Sequence, residues 1–148
     1  MIPQTWENSQ EIDKETGCVG DNDPLDIVDM TPKDASMYSL PNLKVIGCVS
    51  LIDEGELDWK ILALEESYAK EHGIRDAETF TQKNPGAIKE VIEWFRTYKT
   101  YDGKPENRFG HDEKILSVER TIEVIEENHI MYKDLLSGKI SGVEKLQF

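Results

Sequence analysis

The chain has 148 residues, which is enough for one domain with a buried core. Its 30 acidic residues outnumber 17 basic ones, giving a net charge of −13, which argues against nucleic acid or an anionic membrane surface as a partner. No apolar run approaches the roughly 20 residues that cross a bilayer, and the N-terminus lacks the regions of a signal peptide. With two isolated cysteines, Cys18 and Cys48, we expect a cytoplasmic protein, or an organellar one if a segment upstream of Met1 carries a targeting signal.

The first half of the chain is predicted to form strands. A short extended segment covers Asp26–Met30, and a longer β-rich run covers Leu43–Ile52, with Gly47 at an expected bulge. A tight turn around Gly55 joins this run to a second apolar run, Asp58–Leu64. The two long runs are therefore predicted to pair as a hairpin.

The second half of the chain is predicted to be mainly helical. A short helix or turn is expected around Asp76–Lys83, and Asn84 is expected to cap a helix that Pro85 opens. The last helix is expected to begin near Ser117 and to stop at Gly138. Each long helix has a predicted buried stripe: Ile88, Val91, Ile92, Phe95 and Tyr98 on the first, and Val118, Ile122, Ile125, His129, Tyr132 and Leu136 on the second.

Two acidic runs, GDNDPLD at 20–26 and DEGELDWK at 53–60, are the most informative feature of the sequence. They lie in turns of strands that we expect to be neighbours, so their side chains can converge. Carboxylates without His or Cys partners favour Mg²⁺, Mn²⁺ or Ca²⁺ over zinc, and a nearby lysine suits a phosphate oxyanion. The alternative is that these are ordinary solvated turns. The residues in question are Asp21, Asp23, Asp26, Asp53, Asp58 and Lys60.

Other parts of the sequence carry weaker signals. Tyr98 and Lys99 end the first long helix, where a lysine complements the helix dipole without any further role. The sequence contains no P-loop, GxSxG or HExxH motif, which argues against nucleotide-binding P-loop, serine-hydrolase and zincin chemistry.

Five motifs together resemble those of the soluble, family I inorganic pyrophosphatases, particularly the eukaryotic type. The resemblance covers about residues 2–135, and the motifs occur in the family's order and at similar intervals. They are IPQTWE at 2–7, GDNDPLD at 20–26, LIDEGELDWK at 51–60, WFRTYK at 94–99 and DGKPEN at 102–107.

The resemblance implies an α+β, mainly β fold: a small OB-like β-barrel flanked by two main helices. The whole chain, 1–148, is then a single partial domain, with strands mainly in 20–64 and helices mainly in 84–136. Because IPQTWE lies well inside family chains, we expect the N-terminal part of the family fold to be absent. We therefore expect this chain alone to be weakly active or inactive.

The resemblance also implies a function, Mg²⁺-dependent hydrolysis of pyrophosphate to two orthophosphates by metal-activated water. Several Mg²⁺ ions are expected, with Mn²⁺ or Co²⁺ as substitutes, and eukaryotic members are commonly dimers, which suggests a homodimer here. The implied metal ligands are Asp21, Asp26 and Asp58 for the activating ions and Asp53 for those arriving with substrate. Asp23 would accept a proton from the attacking water, and Lys60, Tyr98 and Lys99 would bind phosphate.

Two other functions fit the same residues. The chain could be a non-catalytic remnant of such an enzyme that binds cations or a protein partner. It could also be a glycosidase that uses two of the aspartates, which would need no metal.

Overall fold

A four-stranded mixed sheet runs through the computed structural model, which describes residues 1–32 and 42–140. The strands are β1 (Asp26–Asp29), β2 (Leu43–Asp53), β3 (Glu56–Glu65) and β4 (Arg108–Phe109). Their order in the sheet is β1-β3-β2-β4, with β1 parallel to β3 and the other pairs antiparallel. Within the described residues the sheet is open.

The predicted hairpin of β2 and β3 is confirmed. Glu54 and Gly55 form its two-residue turn, and both have positive φ values, 52° and 95°, as the favoured turns of two-residue hairpins require. The register shifts between Val45 and Gly47, where the bulge was expected. A Cβ atom on Gly47 would lie 2.9 Å from the carbonyl oxygen of Leu116, so the residue also permits close packing there. Strand β4 was not predicted, because two residues are too few to show a period.

In the described part of the chain four α-helices accompany the sheet: α1 (Glu66–Glu71), α2 (Ala77–Lys83), α3 (Ala87–Thr97) and α4 (Val118–Leu136). The prediction that Asn84 caps a helix opened by Pro85 is wrong. Asn84 ends α2, and α3 begins only after Gly86, whose φ of 88° breaks the helical path. None of the helices in residues 1–32 and 42–140 combines the length and apolar content that a bilayer crossing requires.

The buried face of α4 also differs from the prediction. Thr121, Val124 and Asn128 are buried, whereas Ile122 is 46% exposed and Leu136 is 67% exposed. Two polar side chains tolerate burial because they donate to carbonyls of their own helix, Thr121 to Ser117 at 2.7 Å and Asn128 to Val124 at 2.9 Å. His129, expected in the core, instead contacts the carbonyl oxygen of Gln4 near the surface.

The core lies on both faces of the sheet. One cluster joins the sheet to α1, α2 and α3, and it includes Ile46, Leu62, Leu64, Phe80 and Ile88. The other joins the sheet to α4 and the N-terminal segment, and it includes Leu25, Cys48, Trp59, Ile61 and Val124. Side chains alternate along β3, so the polar residues at 58 and 60 share a face with Leu62 and Leu64. That face, toward α3, carries the candidate site.

Candidate active site

The two acidic turns meet because the chain before Asp21 pairs with the start of β3. Gly20 forms a parallel bridge with Leu57, and the N–H of Leu57 donates to the Val19 carbonyl at 2.7 Å. An aspartate follows each of the two bridged residues, Asp21 after Gly20 and Asp58 after Leu57. Their carboxylate oxygens lie within 4.8 Å of one another.

Glu7 is a third member of this cluster that the sequence analysis did not select. One of its carboxylate oxygens lies within the same 4.8 Å of Asp21 and Asp58. Glu7 is only 2% exposed, and its Oε1 accepts the backbone N–H of Trp59 at 2.7 Å. Its Oε2 has no hydrogen-bond partner in the part of the chain that the structure describes. The available signal was its place as the single charged residue of the IPQTWE motif.

The backbone of Glu7 is fixed against the first acidic turn. Its N–H donates to the carbonyl of Asp23 at 2.9 Å, and its carbonyl accepts from Asn22 at 3.1 Å. Gly20 makes this approach possible, since a Cβ atom there would lie 2.4 Å from the carbonyl carbon of Glu7. The position of the Glu7 side chain therefore depends on a glycine at position 20.

Lys60 lies between two of the predicted aspartates. Lys60 lies on β3 directly opposite Asp26 on β1. Its Nζ atom is 2.8 Å from Asp26 Oδ2 and 2.5 Å from Asp58 Oδ2. The ammonium group also lies 5.4 Å from the centroid of the Phe95 ring on α3. The structure thus brings together Asp21, Asp26, Asp58 and Lys60.

A second group of predicted residues forms where the β2–β3 hairpin meets the end of α3. The hydroxyl of Tyr98 donates to Asp53 Oδ2 at 2.5 Å, and the Nζ of Lys99 donates to Asp53 Oδ1 at 2.7 Å. Asp23, the remaining predicted residue, has an exposed side chain beside Asp21, and its backbone N–H donates to Asp21 Oδ1 at 2.9 Å.

The acidic cluster holds its protons more tightly than ordinary carboxyl groups. Burial raises the pKa of Glu7 well above its usual 4.5, and the charge of Asp21 acts in the same direction. Burial also raises the pKa of Asp21 from 3.8 to about 7. It raises the pKa of Asp58 too, against the pull of Lys60.

In the groups held in ion pairs, the pKa is shifted in the direction that favours the charged form. Burial would lower the pKa of Lys60, but Asp58 and Asp26 hold that pKa above its ordinary value. Burial would raise the pKa of Asp53, but the hydrogen bonds from Lys99 and Tyr98 together have the larger effect and keep that pKa below its usual value. The site therefore has a carboxyl-rich side, and beside it two ammonium groups in ion pairs with carboxylates. The carboxyl-rich side is formed by Glu7, Asp21 and Asp58, and the ammonium groups are those of Lys60 and Lys99.

The donor chemistry fits a hard divalent cation. Glu7, Asp21 and Asp58 offer only carboxylate oxygens, which Mg²⁺ and Mn²⁺ prefer. A buried acceptor without a partner, Oε2 of Glu7, is unusual unless a cation or water satisfies it.

Comparisons with known proteins agree with this chemistry. A family model described as inorganic pyrophosphatase matches residues 1–133. The chain is 42% identical, over 146 residues, to the chloroplastic soluble inorganic pyrophosphatase 1 of Chlamydomonas reinhardtii, covering 99% of this chain and 52% of that protein. The chain spans about half the length of the curated relatives it matches.

Solved structures show the same likeness. The inorganic pyrophosphatase of Schistosoma japonicum matches with a TM-score of 0.85 and 34% identity, over 90% of this chain and 47% of that one. A Trypanosoma cruzi vacuolar soluble pyrophosphatase, truncated of its N-terminal domain and in complex with PPi, matches with a TM-score of 0.84 and 30% identity, over 91% and 51%. These matches confirm the α+β fold expected from the sequence.

Proposed function

The chain belongs to the inorganic pyrophosphatase family, and on that premise we propose that its site serves the hydrolysis of pyrophosphate to two orthophosphates with Mg²⁺ as cofactor. The observation that carries the proposal is the convergence of the Asp21 and Asp58 carboxylates beside Lys60. The Trypanosoma cruzi relative, whose structure holds PPi, supports pyrophosphate as the substrate. Mn²⁺ and Co²⁺ are expected to substitute for Mg²⁺.

The carboxylates would hold the cations. Asp21, Asp26 and Asp58 would bind the activating ions, and Asp53 would bind those that arrive with pyrophosphate. Bound divalent ions would supply charge neutralisation and a more acidic water molecule. Asp23, which is exposed beside Asp21, would accept the proton of an attacking water.

The cationic side chains would bind the phosphate groups. Lys60 forms ion pairs with Asp58 and Asp26, and Lys99 forms one with Asp53. With divalent cations bound to those carboxylates, the two ammonium groups and the Tyr98 hydroxyl would be able to donate to phosphate oxygens.

The test separates binding from turnover in the 148-residue chain. We expect the chain with Mg²⁺ to bind imidodiphosphate, a pyrophosphate analogue that resists hydrolysis, and EDTA to abolish this binding. Asp58→Asn should weaken binding at least about tenfold, because a buried charged ligand is lost. Glu56→Gln, at an exposed position of the same hairpin, is the matched control and should bind normally.

Phosphate release from pyrophosphate is measured in parallel. Mg²⁺-dependent release, at whatever rate, supports the hydrolase. Analogue binding without release would favour the non-catalytic alternative, and a folded chain that binds neither Mg²⁺ nor the analogue would contradict the proposal. The cytoplasmic location and the homodimer stay predictions from the sequence.

A further inference from the structure

Glu7 has a feature that its structural contacts do not explain. Its Oε1 atom already accepts a hydrogen bond from the backbone N–H of Trp59 near the start of β3, and this bond needs only one of the two carboxylate oxygens. A neutral glutamine would make the same hydrogen bond. The second oxygen, Oε2, is buried and has no partner among residues 1–32 and 42–140.

The nearest charged groups make an unpaired carboxylate here unfavourable. Asp21 and Asp58 present oxygens within 4.8 Å of Glu7, and like charges at that distance repel. Lys60, the ammonium group that the described residues bring to the cluster, is already bound by Asp58 and Asp26. The described residues therefore supply no cation that is committed to Glu7.

We propose that Glu7 shares a divalent cation with Asp21 and Asp58, as an additional acidic ligand fixed by the N-terminal segment. The inference rests on the proposed function, because it uses the same cation site. It explains why position 7 holds a glutamate and not a glutamine, and it would give the unpartnered Oε2 a cation to bind.

The rigidity of the segment supports a ligand role. Backbone hydrogen bonds join Glu7 to Asp23 and Asn22, and the indole N–H of Trp6 donates to the Asn22 side chain at 3.0 Å. Gly20 allows the two backbones to touch. A carboxylate held this firmly loses little entropy when a cation binds, which favours affinity.

The test is Mn²⁺ binding by the 148-residue chain, followed by the paramagnetic resonance of free Mn²⁺. We expect Glu7→Gln to lower the affinity about ten- to a hundredfold, the range seen when groups supporting a metal site are removed. The metal-free variant should unfold at the same or a higher temperature than the parent, because it loses a buried charge and keeps the hydrogen bond to Trp59. Glu11→Gln, at an exposed position of the same segment, is the matched control and should bind like the parent.

The outcomes distinguish this inference from the proposed function. If Asp58→Asn loses Mn²⁺ while Glu7→Gln binds it with parental affinity, Glu7 is structural and the inference is overturned, but the metal site stands. If the folded parent binds no Mn²⁺, the proposed function fails and the inference with it. If Glu7→Gln does not fold, Glu7→Asp is the second variant, because it keeps the charge on a shorter side chain. A lowered Mn²⁺ affinity of Glu7→Asp supports the ligand role. An unchanged Mn²⁺ affinity excludes it.

Discussion

At the scale of single residues, the buried carboxyls should make the metal-free chain sensitive to pH. Asp21 has a pKa of about 7 in the folded chain and about 3.8 when unfolded, and Glu7 and Asp58 are shifted in the same direction. Between these values the folded state holds protons that the unfolded state has lost. The contribution of Asp21 to stability should therefore fall as pH rises from about 4 to about 7, by up to about 1.4 kcal/mol per pH unit, and Glu7 and Asp58 should act in the same direction.

The measurement is urea unfolding in EDTA across this range. Above pH 7 the contribution of Asp21 should level off, because both states are then deprotonated. Asp21→Asn should flatten the profile, whereas Asp13→Asn, at a position outside the cluster, should not. A free energy of unfolding that rises steadily from pH 4 to 7 in EDTA would contradict the buried, mutually repelling arrangement.

The acidic residues of the site show what a single sequence can reveal. Their spacing in two turns was enough to predict a shared cation site, since carboxylates at this density need neutralising. The sequence pattern did not indicate Glu7 as a site residue, because it is one acid in an otherwise uncharged motif. Its position in the cluster depends on hydrogen bonds to residues 22 and 23 that no local pattern indicates.

At the scale of elements, the end of α3 supplies the cationic side of the site. Lys99 is bound by the partly buried Asp53, whereas Lys104, five residues later, pairs with the exposed Glu54. We expect Lys99→Gln to weaken Mg²⁺-dependent binding of imidodiphosphate about ten- to a hundredfold, the worth of one charged hydrogen bond. Lys104→Gln should change it little, because exposed ion pairs contribute little.

Calorimetric titration of the two variants tests this division. The comparison is matched, since both substitutions remove one positive charge from the same stretch of chain. Equal losses for both would mean that general charge, and not the contact with Asp53, governs binding. Unchanged binding in Lys99→Gln would remove this lysine from the proposed phosphate site.

The helices also show where periodicity succeeds and fails. On α3 the predicted stripe is the less exposed face, because its apolar residues recur regularly. On α4 the apolar residues are spread around the helix, and Thr121 and Asn128 occupy the buried face. A pattern that counts only apolar side chains misses polar ones that satisfy themselves within the helix.

At the scale of the whole molecule, topology determines where the chemistry lies. Strand β1 pairs in parallel with β3, so Asp26 lies opposite Lys60 and the first acidic turn lies beside the second. The sequence predicted both strands and the hairpin. The parallel pairing itself became evident only in the structure, because residues 26 and 60 are too far apart in sequence for local turn signals to specify it.

With a net charge of −13, the chain can be stabilised by cations in two ways, by general screening and by binding at the site. Any added salt screens repulsion over the whole surface, whereas a built site responds only to the ions that fit it. At a free Mg²⁺ concentration about a hundred times its dissociation constant, site binding stabilises the chain by about 2.7 kcal/mol. For a chain of this size that corresponds to a rise in Tm of about 5–10 °C.

Thermal unfolding with MgCl₂ and with NaCl at equal ionic strength separates these effects. We expect Mg²⁺ to raise the Tm well beyond the shift given by NaCl, and EDTA to reverse the difference. Asp58→Asn should abolish the excess and leave the NaCl effect in place, because screening does not depend on one buried carboxylate. If MgCl₂ and NaCl shift the Tm equally, the carboxylates act only as general surface charge, and the convergence of the two turns does not create a cation site.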